Sequence, residues 1–418
     1  MRRNVNEQRD GELRSKTAAC FTREGADNSV DLTAKLTELE VPHLIEDFNL
    51  TDGHIHRGWA GREVQVIARV ADFFRNYSRE NQKELEKEFL TYFHLLSAQS
   101  ALGGNVRHLL CTSASMSIEI IANFLRQRRM KVGLLEPCFD NIADIFRRHG
   151  ISLTAISERV LTDPGMLEAG FDKFDVLFLV SPNNPTGLCY DLTTLKRIGE
   201  FCRERAILLI IDASFRFYRP PTRMFDEYGL LNEIGTEFIF VEDTGKTWPT
   251  HDLKVSILSC NNVDLHEQLQ QIRYDFILHV SPFILKLLCE LIKCSIEDKL
   301  FTVQSLAADN REFLEQQIEG TILCIQSEQH ASIAWLGIEG PCDAYSLVKE
   351  MGEQGVFVLP GNQFFWNDPE RGSQYLRVAL TRDRDKFQGA AVQIGIVAKA
   401  ALTQNRHSAD MADIGAGE

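Results

Sequence analysis

The segment EDTGKTWPTHDLK, residues 242–254, contains a lysine whose position suggests chemistry. Lys246 follows the apolar run 238–241, and Asp243 lies three positions before it. The Gly-Lys-Thr triplet has the letters of a phosphate-binding P-loop, but that loop needs a glycine five residues before the Gly-Lys pair. Phe240 occupies that position, so this loop cannot wrap a nucleotide phosphate. A primary amine at the end of a buried-looking strand therefore needs another explanation.

Three further segments contain residues that could take part in the same chemistry. They are SPNNPTG (181–187), IDASF (211–215) and YLRVAL (375–380). Each has an ordinary explanation when taken singly: an aspartate at a strand end most often caps a helix, and Asn-Pro readily starts a turn. A lysine after a strand is most often a surface residue. Their order along the chain, and the fold that must position them, decide between these explanations.

Short apolar runs alternate with segments of helical periodicity in the first two thirds of the chain. The strand candidates are residues 108–113, 131–136, 175–181, 206–212, 238–243 and 255–260, and the helical patterns are 117–128, 141–149 and 192–205. Continuous apolar strands separated by helices predict a mostly parallel sheet that is covered on both faces. Such α/β sheets bind ligands at the carboxyl ends of their strands, where the polar segments lie.

The pattern changes after residue 282. Long helical stretches are followed by weaker alternating strands at 323–328, 331–338, 356–359 and 375–380, and by a final helix near 385–403. We therefore expect a large domain over residues 101–281 and a smaller α+β domain over residues 282–404. Residues 1–30 and 405–418 are polar, which predicts disordered ends.

Composition narrows the class of partner and the compartment. The chain has 418 residues and a net charge of −14, which argues against nucleic acid or an anionic membrane as its main partner. No apolar run reaches the roughly 18 residues that span a bilayer, and the N-terminus lacks the apolar centre of a signal peptide. The ten cysteines form no C-x-x-C pair, so we interpret them as reduced thiols in a cytoplasmic protein.

Taken together, the four segments resemble the fold type I aminotransferase superfamily, whose cofactor is pyridoxal 5′-phosphate (PLP), over roughly residues 60–400. The resemblance implies a seven-stranded, mostly parallel sheet and a homodimer. Lys246 matches the lysine that binds the PLP aldehyde, and Asp212 matches the carboxylate that keeps the pyridine nitrogen protonated. Phe139 matches the aromatic residue that stacks on the ring. Asn184 matches the donor to the ring 3-oxygen, and Arg377 matches the arginine that grips a substrate carboxylate.

The phosphate of PLP is expected where TSASMS, residues 112–117, opens a helix. Free backbone N–H groups at a helix start bind anions, and Ala114 would contribute one of them. The hydroxyl groups of Ser113 and Ser115 would add to this cradle. Lys254 matches a cofactor-binding position that is usually arginine, and it offers a point charge in place of a two-pronged donor.

Two other positions depart from ordinary aminotransferases. Asp243 replaces a serine that usually binds the PLP phosphate, and a carboxylate beside a phosphate dianion is repelled. We therefore expect Asp243 to face a cationic substrate group, with an ion pair to Lys254 as the alternative. Phe215 replaces the usual tyrosine, with Ser214 beside it, which leaves one fewer hydroxyl near the ring oxygen.

A narrower resemblance accounts for these departures. The segments LTELE…DGH (36–54), CFDNIAD (138–144), DASF (212–215) and EDTGKTWPTHDLK are similar to those of the PLP- and oxygen-dependent L-arginine oxidases and hydroxylases. That family uses no metal and no flavin, and it serves natural-product biosynthesis. It converts L-arginine to 4-hydroxy-2-oxo- and 2-oxo-5-guanidinopentanoate, with release of ammonia and hydrogen peroxide. The resemblance implies that residues 31–100 supply a lid helix and part of the small domain. Thr37 and Glu40 would meet the guanidinium, and His54 would face the reacting centre.

Several alternatives remain open at this point. Glutamates in acidic amphipathic stretches are mostly solvated, and Glu40 lies in one. His54 and His56 form an H-x-H pair, but a metal site needs a third ligand with compatible spacing. An ordinary PLP aminotransferase for a basic amino acid would share the cofactor residues. A PLP-binding regulator would need a basic helix-turn-helix segment, and neither terminus carries one. The sequence leaves open whether hydroxylation, desaturation or simple oxidative deamination dominates.

Overall fold

The protein folds around one large sheet whose strand ends carry the predicted site. A computed structural model describes residues 34–76, 81–100, 105–163, 165 and 174–415, with side chains up to residue 403. The predicted disordered segment 1–30 lies outside the described residues.

The described strands are short and mostly buried. They are β1 Phe48–Asn49, β2 Arg107–Cys111, β3 Val132–Glu136, β4 Leu153–Ser157, β5 Val176–Val180, β6 Leu208–Asp212, β7 Phe238–Asp243, β8 Ser256–Cys260, β9 Leu323–Ile325, β10 Ile333–Ile338, β11 Val356–Phe357, β12 Leu359–Pro360 and β13 Tyr375–Ala379.

The described α-helices range from single turns to one long helix. They are α1 Leu36–Glu40, α2 Glu63–Ala68, α3 Val70–Asn76, α4 Gln82–Ser97, α5 Ala114–Gln127, α6 Asp140–Arg148, α7 Glu158–Thr162, α8 Leu192–Glu204, α9 Glu227–Ile234, α10 Val263–Tyr274, α11 Pro282–Glu297, α12 Phe301–Ile318, α13 Ala344–Glu353 and α14 Arg384–Gly415. Short 3₁₀ turns connect some of these elements, among them Thr244–Lys246 directly after β7.

The large sheet has seven strands in the order β2-β8-β7-β6-β5-β3-β4. β8 runs antiparallel to both of its neighbours, and the other strands run in one direction. Every residue of β3, β5, β6, β7 and β8 is buried, as expected for a sheet with both faces covered. The register aligns Asp212 with Val180 on one side and with Val241 on the other, so β5 and β6 end level and β7 extends two residues further, to Asp243. The predicted α/β fold is confirmed.

The smaller sheet is antiparallel, in the order β12-β13-β10-β9, and β1 pairs with β11 in a separate ribbon. Two extensive apolar cores serve the two parts of the molecule: one surrounds the large sheet, and the other packs α4, α11, α12 and α14 against the smaller sheet. All described residues belong to one compact unit, Thr33–Glu418. None of the described helices is long and apolar enough to span a bilayer.

Helix α1 is attached to both parts of the molecule. Leu36 is fully buried in a third apolar cluster with Trp335, Leu359, Phe364 and Phe365. The Leu36 N–H donates to Asp140 at 2.9 Å, at the start of α6, which packs in the core of the large sheet. Because a five-residue helix is not stable in isolation, these contacts rather than intrinsic propensity determine its conformation.

The structure differs from the sequence-based expectations at three places. Strand β4 was not predicted, because this edge strand is only half-buried and lacks a continuous apolar run. The predicted strand 356–359 is divided into β11 and β12. The backbone of α14 is helical over residues 405–415, where a disordered tail was expected.

Candidate active site

A cavity of about 240 Å³ lies at the carboxyl edge of the large sheet. Its lining includes nearly all the predicted site residues, namely Thr37, Glu40, His54, Ser113, Ala114, Ser115, Phe139, Asn184, Asp212, Ser214, Asp243, Lys246 and Lys254. Residues from three separate segments, 37–54, 113–142 and 180–254, therefore meet in one place. Arg377 lies outside this lining and reaches the site through a contact with Glu40.

Lys246 is held by a tight turn directly after β7. Glycine at position 245 makes this turn compact, because a Cβ atom there would lie 2.6 Å from Cδ of Lys254. Burial lowers the pKa of the Lys246 amine, against the opposing charges of Asp243 and Glu40. A lowered pKa increases the neutral fraction of the amine, which is the form that attacks carbonyl groups and accepts protons.

Asp212 ends β6 as a buried carboxylate. Its Oδ1 atom accepts hydrogen bonds from the Ser214 N–H at 2.9 Å and from the Ser214 hydroxyl at 2.5 Å. Burial raises the pKa of Asp212 to about 6, although the Ser214 hydrogen bonds oppose that rise. A cation in contact with this carboxylate would lower its cost of burial.

The part of the cavity that is predicted to hold the PLP ring contains an aromatic side chain and an amide whose oxygen has no hydrogen-bond partner among the described residues. Phe139 precedes α6, and its ring centroid lies 6.4 Å from that of Phe364. Asn184 is buried, and its Oδ1 atom has no hydrogen-bond partner among the described residues. An amine, a buried carboxylate, an aromatic ring and an amide side chain are the groups that PLP requires, so the residues present fit this cofactor.

The contacts of Asp243 differ from the predicted ones, because its carboxylate is hydrogen-bonded to backbone N–H groups. Its Oδ2 atom accepts from the Ala114 N–H at 2.8 Å, and its Oδ1 atom accepts from the Gly245 N–H at 2.6 Å. The carboxylate thus caps the start of α5, where the helix dipole favours negative charge, rather than facing the cavity freely. The described contacts contain no ion pair between Asp243 and Lys254. The Lys254 amine instead lies 3.3 Å from Asp252.

The two serines of the predicted phosphate cradle also have partners. The Ser113 side chain caps α5 by accepting from the Met116 N–H at 3.2 Å. The Ser115 hydroxyl accepts from Asn141 Nδ2 at 3.2 Å. Asn141 also lines the cavity and was missed by the sequence analysis, although it lies within the quoted segment CFDNIAD.

His54 belongs to a hydrogen-bond network centred on Asp52, a second residue that the sequence analysis missed. Asp52 Oδ1 lies 3.2 Å from His54 Nδ1 and 2.9 Å from His56 Nε2, and Arg382 pairs with Oδ2 at 2.9 Å. The H-x-H pair is therefore organised around a carboxylate. Within the described part of the chain, no group of three or more His, Cys, Asp or Glu side chains is arranged to hold a metal ion.

Arg377 and Glu40 form an ion pair that the sequence did not predict. Arg377 is fully buried, and its Nη2 atom lies 3.0 Å from Oε1 of Glu40 and also donates to the Thr51 carbonyl oxygen. Its Nε and Nη1 atoms have no hydrogen-bond partner among the described residues. Glu40 was expected to face a substrate guanidinium. In this structure it contacts Arg377, because a buried guanidinium requires an anion.

The fold and the site together define a PLP-dependent enzyme of fold type I. The chain belongs to the aminotransferase class I and II family, whose model matches residues 59–394. PLP is the cofactor expected for this family.

Solved structures support the same fold. A structure described as MppP soaked with the product 2-ketoarginine has a TM-score of 0.77 and 28% identity, and the match covers 84% of this chain and 99% of that one. The α-aminoadipate aminotransferase LysN of Thermus thermophilus has a TM-score of 0.69 at 18% identity, over 93% of this chain and 99% of that one. The second likeness shows the fold alone.

Curated relatives match over shorter regions. The 4-dedimethylamino-4-oxo-anhydrotetracycline transaminase OxyQ of Streptomyces rimosus is 22% identical over 54% of this chain. The threonine-phosphate decarboxylase of Salmonella typhimurium is 32% identical over 31% of this chain. The chain spans 62% and 35% of the lengths of these two proteins, less than two thirds in each case.

Proposed function

We propose that the protein is a PLP-dependent, oxygen-using oxidase or hydroxylase of free L-arginine. Its products would be 4-hydroxy-2-oxo- and/or 2-oxo-5-guanidinopentanoate, ammonia and hydrogen peroxide. The observation that carries this proposal is the convergence of Lys246, His54, Glu40 and Asp243 in one cavity. Two carboxylates beside the reactive amine favour a substrate with a cationic side chain. The similarity to MppP, whose structure was soaked with 2-ketoarginine, supports the same substrate.

PLP would be held by Lys246, Asp212, Asn184 and Phe139. When bound, it supplies the electron sink for a carbanion at Cα of an amino acid. Asp212 keeps a proton on the pyridine nitrogen, because its buried carboxylate favours a cationic partner. Lys246 accepts the Cα proton, a role that its lowered pKa suits.

Three other elements orient the substrate and control water. Arg377 binds the α-carboxylate through its unpartnered N–H groups. His54 Nε2, which also has no partner among the described residues, holds a water molecule near the cavity. Helix α1 covers the cavity with Thr37 and Glu40 and excludes bulk water while oxygen is reduced.

Oxygen uptake with arginine tests the proposal directly. The PLP-loaded enzyme should consume oxygen and release ammonia and peroxide without any 2-oxo acid acceptor. When each O₂ is reduced to hydrogen peroxide, simple oxidative deamination is a two-electron oxidation that consumes one O₂ per ammonia, whereas the four-electron oxidation to the hydroxylated product consumes two. The measured ratio, together with mass spectrometry of the 2-oxo acids, therefore identifies the dominant outcome. Lys246→Ala is the control and should show no uptake.

An ordinary aminotransferase for a basic amino acid is the second candidate. The name of OxyQ, a transaminase, favours it. This enzyme would release no ammonia, and it would turn over arginine only when a 2-oxo acid accepts the amino group. Acceptor-dependent turnover without oxygen uptake would establish this candidate and exclude the oxidase.

We further propose that the enzyme is a cytoplasmic homodimer of natural-product biosynthesis. OxyQ, named for an anhydrotetracycline substrate, supports this setting. Light scattering of the purified PLP-loaded protein should give twice the 47.5 kDa chain mass. A mass equal to one chain would contradict the dimer.

A further inference from the structure

The Arg377 guanidinium is incompletely satisfied in its own pocket. Its side chain is 0% exposed, yet Glu40 is the carboxylate that pairs with it, through Nη2. Nε and Nη1 are buried without partners among the described residues. Arg377 therefore forms a carboxylate-binding site, and the carboxylate of Glu40 from helix α1 already occupies it.

Glu40 can leave this site without detaching the whole lid. The first turn of α1 has separate anchors: Leu36 is buried among aromatic side chains, its N–H donates to Asp140, and the Lys35 amine lies 2.7 Å from Asp144. Glu40 stands at the other end of the helix and lines the same cavity as Lys246. Rotation of one side chain moves its carboxylate away from Arg377.

We propose that Glu40 is an internal competitor for the carboxylate site, and that this competition selects amino acids with a cationic side chain. The inference rests on the proposed function for the identity of the cation, an arginine guanidinium. It adds that the α-carboxylate of any substrate must first displace Glu40 from Arg377.

The selectivity follows from the partner that Glu40 has after displacement. The Glu40 side chain is only 14% exposed, so a displaced carboxylate remains largely out of water. A neutral amino acid takes Arg377 and leaves Glu40 without a cation, which is unfavourable. A cationic side chain gives Glu40 a new partner, so one ion pair is exchanged for two. Binding is thus favoured for arginine and opposed for an uncharged amino acid of similar length.

Anaerobic titration of the PLP-loaded enzyme, followed by its visible spectrum, tests this exchange without turnover. The ligands are L-arginine and L-norleucine, and the variants are Glu40→Gln and Glu38→Gln. Glu38 lies on the same helix and does not line the cavity, so its substitution is the matched control. We expect Glu40→Gln to bind norleucine about tenfold more tightly, whereas its arginine affinity should stay near wild type, because this substitution removes both the competitor for Arg377 and the partner of the guanidinium. Glu38→Gln should behave as wild type with both ligands.

The possible outcomes distinguish competition by Glu40 for Arg377 from a purely structural role of Glu40. If Glu40 only stabilises the lid, Glu40→Gln would weaken the binding of both ligands. This result would overturn the proposed competition. Unchanged norleucine affinity in Glu40→Gln would overturn it as well. Glu40→Asp retains the charge but shortens its reach, and it should also gain norleucine affinity. If wild-type enzyme binds no arginine, the proposed substrate fails, whereas tighter norleucine binding by Glu40→Gln would still establish that Glu40 occupies the carboxylate site.

Discussion

The Nδ1 atom of His54 lies 3.2 Å from Oδ1 of Asp52, and this contact determines which ring nitrogen of His54 can accept a proton. Burial opposes ionisation of Asp52, but the hydrogen bonds from His54 and His56 and the charge of Arg382 lower its pKa. An ionised carboxylate only accepts, so Nδ1 carries the hydrogen and Nε2 keeps its lone pair. Burial and the nearby Lys246 lower the pKa of His54, which keeps the ring neutral.

This geometry predicts the phenotype of His54→Ala. Loss of the Nε2 acceptor should leave oxygen uptake within about tenfold of wild type, because Lys246 still moves the Cα proton. The hydroxylated 2-oxo acid should fall several-fold relative to the deaminated one, as measured by mass spectrometry. His56→Ala removes a ring that bonds the same Asp52 oxygen but does not line the cavity, and it should leave the ratio near wild type. An unchanged ratio in His54→Ala would reduce His54 to a structural residue.

Covalent attachment of the cofactor is predicted at Lys246. Purified enzyme should be yellow, and borohydride should fix PLP irreversibly to this lysine, because its amine lines the cavity and its pKa is lowered. Peptide mapping locates the label. Lys254 lines the same cavity and is the internal control, since it should remain unlabelled. A label on any other lysine contradicts the cofactor assignment.

Asp243→Asn should change the affinities for cofactor and substrate in opposite directions. The carboxylate accepts the Ala114 N–H, so removal of its charge should slow PLP loss on dialysis by lessening repulsion of the phosphate. If Asp243 also attracts the guanidinium, arginine binding should weaken by roughly 2–5 kcal/mol. Asp252→Asn, which alters the exposed partner of Lys254, is the control. Wild-type arginine affinity in Asp243→Asn would end the substrate role of this residue.

Asp212 makes the stability of the cofactor-free protein depend on pH. Burial raises the pKa of Asp212 from 3.8 to about 6, so the folded chain binds this proton more tightly than the unfolded chain does. The resulting stabilisation is fully present below pH 3.8 and is lost as the pH rises through 6. At neutral pH, Asp212→Asn should therefore stabilise the apoprotein by up to about 3 kcal/mol.

Thermal unfolding of both apoproteins between about pH 4.5 and 8 would measure this effect. The difference in Tm between Asp212→Asn and wild type should grow across the window and level off above pH 6. PLP should reverse the order, because it gives wild-type Asp212 a cationic partner. A difference in Tm that does not vary with pH would contradict the raised pKa.

The sequence predicted those features that local patterns encode. Continuous apolar runs identified β3, β5, β6, β7 and β8, because strands buried on both faces carry few polar positions. The motifs at their ends then predicted that Lys246 and Asp212 share one site, and both residues line the same cavity. The edge strand β4 has no such run and was missed.

Local sequence patterns do not predict contacts between segments that are distant along the chain. The Glu40–Arg377 pair joins residues 337 positions apart, and Asp243 is bound by a backbone N–H 129 positions away. The spacing of residues along the sequence predicts neither of these two contacts. Asp52 carried a usable signal, because it precedes His54 by two residues in the quoted DGH segment and its side chain also accepts the His54 N–H.

Three of the residues predicted to contact the substrate come from a different stretch of chain than the predicted cofactor residues. The family match begins at residue 59, whereas Thr37, Glu40 and His54 all precede it and reach the cavity from outside the matched region. For protein engineering, an exchange of residues 34–58 would have to include Arg377 and Arg382, because these two buried arginines form ion pairs with Glu40 and Asp52 of that segment.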